Sequence, residues 1–134
     1  MKKTMLISWV MLLAISMSSF AQARKNGVEV LYFKANLACC KARACSAIQT
    51  DVEGVLAKHF AKENIAFRVI PLADPANQEL IEKYKAKSQT VVIVKTKGKK
   101  ERVTDVSDIV QVYSTSRNKE RFEAALKAKV DEAL

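Results

Sequence analysis

Histidine, tryptophan and methionine are almost missing from the body of this chain, and each absence removes a chemistry. His59 is the only histidine in 134 residues. A closed zinc site takes four nitrogen or sulfur ligands. Three cysteines would need His59 as the fourth, and it stands about four helical turns beyond them. The one tryptophan (Trp9) and all four methionines (Met1, Met5, Met11, Met17) fall in a leader that reads as removable. What remains holds neither, which argues against a methionine-rich copper carrier. Long apolar runs are also missing. Residues 5–15 are apolar apart from Ser8, well short of the roughly 20 residues a membrane-spanning helix needs. No site for a flavin or nicotinamide cofactor is legible, so no cofactor is expected. Cysteine is scarce and odd in number: Cys39, Cys40 and Cys45, all within seven positions. A bridge closing so small a loop removes little chain entropy and stabilises weakly. These cysteines are therefore expected to be reactive or ligating.

The leader, residues 1–23, has the three parts of a secretory signal. Lys2 and Lys3 make a basic start, residues 5–15 an apolar core, and Ala21-Gln22-Ala23 a small-residue end. Cleavage after Ala21 or after Ala23 fits equally, and no cysteine stands there to carry a lipid. The expected location is the periplasm or the exterior. Residues 24–134 then form one domain. The leader takes Lys2 and Lys3 with it, so 23 basic residues become 21 against 14 acidic ones, and a net charge of +9 becomes +7. Export makes nucleic acid an unsuitable partner, and a solvated surface accounts for the basic excess.

The domain begins with residues 28–33, mostly apolar, as suits a buried strand covered on both faces. After the cysteines, Ile48, Val52, Val55, Leu56 and Phe60 recur at three- and four-residue spacing and predict a helix with one apolar face. Cys45 leans toward that face, and His59 reads as a half-buried packing residue. Residues 65–72 read as a second strand. Asp74 and Pro75 open a second helix as N-cap and first helical residue, with Leu80, Ile81 and Tyr84 inward. Residues 90–94 are the strongest strand and should be central. Lys97-Gly98-Lys99 is a hairpin turn, and residues 102–106 return as its partner. A short helix from Ser107 and Asp108 presents Ile109, Val110, Val112 and Tyr113. A last helix from Ser116 or Asn118 turns Phe122, Leu126 and Val130 inward. The pattern predicts an α/β domain in the order β-α-β-α-β-β-α, a mixed four-stranded sheet with helices on both faces. The alternation of its first three strands with helices predicts that those strands are parallel.

All three cysteines stand at the first strand-to-helix junction. Backbone N–H groups and the helix dipole there favour thiolate over thiol, and Lys41 and Arg43 add positive charge. Geometry limits the pairing, because a disulfide needs its Cα atoms within about 7 Å. Were Cys40 and Cys45 on one helix, they would stand about 140° apart around its axis. Either residues 41–44 form a loop with Cys45 in the first helical turn, or Cys40 and Cys45 do not bridge; the loop is the expected form. Two chemistries suit the segment. In the first, Cys40 or Cys39 is the exposed nucleophile, Cys45 resolves the mixed disulfide, and the partner is a thiol or disulfide of another exported or membrane protein. In the second, Cys39, Cys40 and Cys45 hold a soft ion, trivalent arsenic or Cu(I), as three thiolates without turnover.

A family resemblance rests on Tyr32-Phe33, on Cys45-Ser46-Ala47-Ile48-Gln49, on Asn77-Gln78-Glu79-Leu80 with Lys83-Tyr84, and on Ser88-Gln89-Thr90-Val91-Val92. Through these, residue 28 onward resembles thioredoxin-like proteins. More narrowly it is similar to small exported thioredoxin-fold proteins known as nitrophenyl compound nitroreductase subunits, found in bacterial arsenic-resistance operons. The resemblance implies a thioredoxin-like fold and a C-x-x-C pair, with Ser88-Gln89-Thr90 facing the cysteines. Gln89 and Thr90, together with Lys41 and Arg43, are then the expected substrate-binding residues. Three departures stand out. The cysteines are spaced C-C-x4-C, the domain has no tryptophan beside them, and no proline lies near Ser88-Gln89-Thr90, where thioredoxins carry a cis-proline. The last departure leaves room for binding a metal or metalloid.

Overall fold

A computed structural model describes residues 26–36 and 40–134, with residues 40–42 described by their backbone alone. The leader and Cys39 lie outside the described residues. The elements in order are β1 (Asn26–Lys34), α1 (Cys40–His59), β2 (Ile65–Pro71), a 3₁₀ turn (Pro75–Asn77) running into α2 (Gln78–Tyr84), β3 (Val91–Lys97), β4 (Lys100–Asp105), α3 (Ser107–Ser116) and α4 (Lys119–Ala133). They build a four-stranded sheet in the order β2-β1-β3-β4.

The two apolar runs occupy the middle of the sheet because they can be buried on both faces. From β1, Val30 and Tyr32 point to one layer and Leu31 and Phe33 to the other, none more than 2% exposed. β3 does the same with Val91 and Ile93 against Val92 and Val94. The larger layer packs under α1, α3 and α4, where Ile48, Val52, Val55, Leu56, Phe122, Leu126 and Val130 meet the sheet. The smaller layer lies under α2, with Leu80, Ile81 and Tyr84 over Leu31, Phe33 and Ile70. Tyr84 meets Phe33 edge to face at 6.1 Å, a favoured aromatic geometry. Val112 does not join its neighbours. It lies 200° from the buried Val110 around α3 and is 48% exposed.

One expected feature is corrected. β1 and β2 are parallel, but β3 runs antiparallel to β1, and β4 antiparallel to β3. What decides the direction is the loop after α2, which pairs with the end of β1 and not with its beginning, so β3 starts where β1 finishes. The loop before β3 is stitched to the end of β1 there. Phe33 N–H donates to the Thr90 carbonyl at 2.8 Å, and Gln89 N–H to the Phe33 carbonyl at 2.9 Å. This stitching brings residues 88–90 beside the start of α1.

The turn chemistry is as the sequence predicts. Ala76 N–H donates to the Asp74 carboxylate at 2.9 Å, and Arg121 N–H to the Asn118 side chain at 3.0 Å, capping the 3₁₀ turn ahead of α2 and the start of α4. Gly98 sits at φ 61° in the β3–β4 turn, where glycine has no Cβ to clash. His59 does more than pack. Its Nε2 lies 2.6 Å from Glu123 of α4, alongside Lys58, and these contacts tie the last turn of α1 to α4.

Candidate active site at the first strand-to-helix junction

The start of α1 also differs from expectation. Residues 41–44 are not a loop: the helix begins at Cys40, and Cys45 stands in its second turn. Lysine, arginine and two alanines fill those positions, and all favour helix. Five residues of helix separate Cys40 from Cys45, which places their Cα atoms about 9 Å apart. That exceeds the roughly 7 Å a disulfide tolerates. In this conformation Cys45 is a free, buried thiol, only 1% exposed.

The surroundings of Cys45 come from two other parts of the fold. From the loop before β3, the Gln89 amide Nε2 donates to Cys45 Sγ at 3.5 Å, and the Ser88 hydroxyl stands 3.8 Å from the same sulfur. From β1, the Tyr32 hydroxyl donates to the Cys45 carbonyl at 2.9 Å. Burial foremost, and then the charge of the neighbouring Cys45 side chain, push that phenol well above its usual range, so Tyr32 stays a neutral donor at any physiological pH. A Tyr32→Phe variant, which removes one buried hydrogen bond and keeps the ring, is expected to cost about 1 kcal/mol. Urea unfolding should show a lower midpoint with an unchanged slope.

Gln89 is held in the left-handed region at φ 67°, costly for a residue with a Cβ. Its two neighbouring backbone bonds to Phe33 fix that geometry and aim its side chain at α1. Thr90 is buried, and its hydroxyl accepts from Lys87 N–H at 2.9 Å, so its side chain holds the turn together. Arg43 is exposed and lies 200° around the helix from Cys45. Lys41 and Cys40 belong to the described helix by backbone, and Cys39 falls outside the described residues. Among the described residues no group of three metal-ligating side chains converges.

Two participants carried no sequence signal strong enough to single them out. Ser88 is a small polar residue in a turn. Lys34 closes β1 and reaches α1, where its Nζ donates to Ser46 at 3.1 Å and to Gln49 at 3.0 Å, fixing the angle between strand and helix beside Cys45. Lys34 also borders a groove with Asn36, Pro71 and Asp74. That groove lies off the carboxyl ends of the two parallel strands, where α/β sheets commonly receive ligands.

No protein-family model matches the chain, and no curated protein does. Two solved structures are similar to it. A thioredoxin-like protein from Clostridium perfringens is 20% identical, over 83% of this chain and 94% of that one, with a TM-score of 0.45. A malarial protein is 24% identical, over 69% of this chain and 97% of that one, with a TM-score of 0.42. The chain's own topology carries the assignment of fold. A mixed sheet in the order β2-β1-β3-β4, with α2 on one face and α1, α3 and α4 on the other, is a thioredoxin-like α/β fold.

Proposed function

We propose that this chain is an exported thiol–disulfide oxidoreductase that exchanges disulfides with another exported or membrane protein through its C-C-x4-C segment. The observation that carries the reading is the setting of Cys45: a buried free thiol near the start of α1, met by a hydrogen-bond donor from the loop before β3. A thiol so placed is shielded from casual oxidation yet supplied with what a thiolate needs. Cys40 or Cys39, at the helix start, is the entering nucleophile, favoured as thiolate by the helix N-terminus and by Lys41 and Arg43. Cys45 then resolves the mixed disulfide. The partner lies along the loop that carries Gln89 and Thr90. Export to the periplasm or exterior rests on the leader. Among the described residues, no helix is long and apolar enough to cross a membrane.

The resemblance to nitroreductase subunits supports a nitroaromatic role only indirectly. No flavin or nicotinamide site is legible in the sequence, so reduction of such a compound would call for a second subunit. Metalloid binding is the second reading, and the third cysteine favours it, since redox exchange uses only two. Arsenite titration separates the two. If Cys39, Cys40 and Cys45 hold one ion, one equivalent protects three thiols together.

The redox reading is tested by equilibrating the chain against glutathione buffers of graded poise and counting thiols. It predicts one two-electron transition in which two thiols disappear into an internal bridge that includes Cys45. Glutathione adducts alone, with no internal bridge at any poise, would overturn it.

A further inference from the structure

We infer that Gln89 is a positioning residue for the resolving step: its amide holds the buried Cys45 sulfur as the attacking thiolate. This rests on the redox reading and assigns a residue to one of its steps.

Cys45 is 1% exposed, so solvent does little to stabilise a negative charge on its sulfur, and an uncompensated buried charge is expensive. Two groups from the same turn meet it, Gln89 Nε2 at 3.5 Å and Ser88 Oγ at 3.8 Å. The pair suits both protonation states. As a thiol, Cys45 donates to the Ser88 oxygen while accepting from the amide. As a thiolate it accepts from both. Ser88 is exposed, so its hydroxyl is a path for the departing proton to water. The amide of Gln89 does not titrate, so its donation is constant across pH. The titratable groups around the sulfur have other roles. Tyr32 is kept neutral by burial and bonds the Cys45 carbonyl. Lys34 is bound to Ser46 and Gln49, and Arg43 points away on the same helix.

The backbone adds an independent observation. Gln89 sits at φ 67°, a region that is strained for an L-residue and free for glycine. The loop carries a strained glutamine at the position whose amide donates to Cys45.

In the step itself, the Cys45 thiolate attacks the sulfur of Cys39 or Cys40 in the mixed disulfide. A sulfur–sulfur bond forms between the two cysteines of this chain as the bond to the partner breaks. The partner's sulfur leaves as a thiolate and takes up a proton. Over the whole exchange two electrons pass from two thiols of this chain to the partner's disulfide.

Dithiobis-nitrobenzoate serves as the test oxidant, in Cys39→Ser and Cys40→Ser backgrounds that leave one nucleophile and Cys45. The first thionitrobenzoate released reports the entering attack and the second reports resolution by Cys45. In Gln89→Ala and Gln89→Gly, the pH at which the second release reaches half its maximum rate should move up by about one pH unit, the loss of one modest hydrogen bond to a charged group. A tenfold smaller thiolate fraction is partly offset, because each thiolate becomes about threefold more nucleophilic. The second release should therefore slow about threefold near neutrality and overtake the parent at high pH, while the first release is unchanged. Gln89→Gly removes the amide and relieves the strained backbone, so it keeps the test valid should Gln89→Ala fold poorly. A second release with the parent's rate and pH profile in both variants would overturn the inference. Equal slowing of both releases at every pH would overturn it too, as a mark of structural damage alone. The absence of any second release in the parent backgrounds would overturn the redox reading, and this inference with it.

Discussion

Cys45→Ser is expected to stop the chain after its first chemical step. The entering cysteine still attacks a disulfide, but a serine hydroxyl is neither ionised near neutral pH nor a useful nucleophile toward sulfur. The mixed disulfide then has no internal exit. In the Cys39→Ser or Cys40→Ser background, dithiobis-nitrobenzoate should release one equivalent of thionitrobenzoate and leave one adduct, where the parent releases two and keeps none. In cells the same variant should accumulate covalent complexes with exported or membrane proteins that dissolve on reduction. The substitution is mild for the fold. A hydroxyl is smaller than a thiol, and Ser88 and Gln89 stand within reach to satisfy it. A cost of about 1 kcal/mol is a small part of the 5–15 kcal/mol typical of a domain. Two equivalents released from the Cys45→Ser variant, with no adduct, would remove Cys45 from the mechanism.

Closing the bridge is expected to open the first turn of α1. On the helix that runs Cys40–His59, Cys40 and Cys45 are about 140° and 7.5 Å of rise apart, too far for a disulfide. Residues 40–44 must therefore leave the helix before Cys45 can bridge to Cys40. The rearrangement is cheap. The first N–H groups of a helix lack intrahelical partners in any case, and Arg43 is exposed. Past this turn Cys45, Ile48 and Val52 are buried and keep the rest of α1 in place. Hydrogen exchange followed by mass spectrometry should show peptides covering residues 40–46 losing at least tenfold in protection on oxidation, while residues 48–59 keep theirs. Unchanged protection across residues 40–46 in a protein shown to be bridged between Cys40 and Cys45 would contradict this.

That prediction also explains how the sequence misleads at this point. Disulfide geometry alone argues for a loop over residues 41–44, with Cys45 in the first turn. The helix propensity of lysine, arginine and alanine argues for what is observed in the thiol form. The loop is the form that a bridge would require, so one stretch of sequence serves two states. Elsewhere the pattern of apolar residues was sufficient. The two-faced runs around Val30 and Val92 are the central strands, and Ile48, Val52, Val55, Leu56 and Phe60 are the buried face of α1, because burial is periodic and periodicity is visible in a sequence. Strand direction was not visible. Alternation with helices suggests parallel strands, but the direction of β3 depends on which end of β1 the loop after α2 meets, and that contact is long-range in sequence. Gln89 was placed beside the cysteines by resemblance alone. Its left-handed backbone has no sequence signature, since glutamine has no preference for that region. The backbone bonds to Phe33 impose it, and they exist only once β1 and β3 have paired. Lys34 has no such signal for the same reason, as its partner Ser46 lies 12 residues away.

The decisive measurement is mass spectrometry of the protein taken from the cells that make it, with free thiols alkylated before reduction and again after it. A thiol–disulfide oxidoreductase built on Cys45 predicts one thiol alkylated at once and two only after reduction. The bridged peptide should join Cys45 to Cys39 or to Cys40. Three thiols alkylated at once, a bound ion that shields all three, or a bridge between Cys39 and Cys40 that leaves Cys45 free would each contradict it.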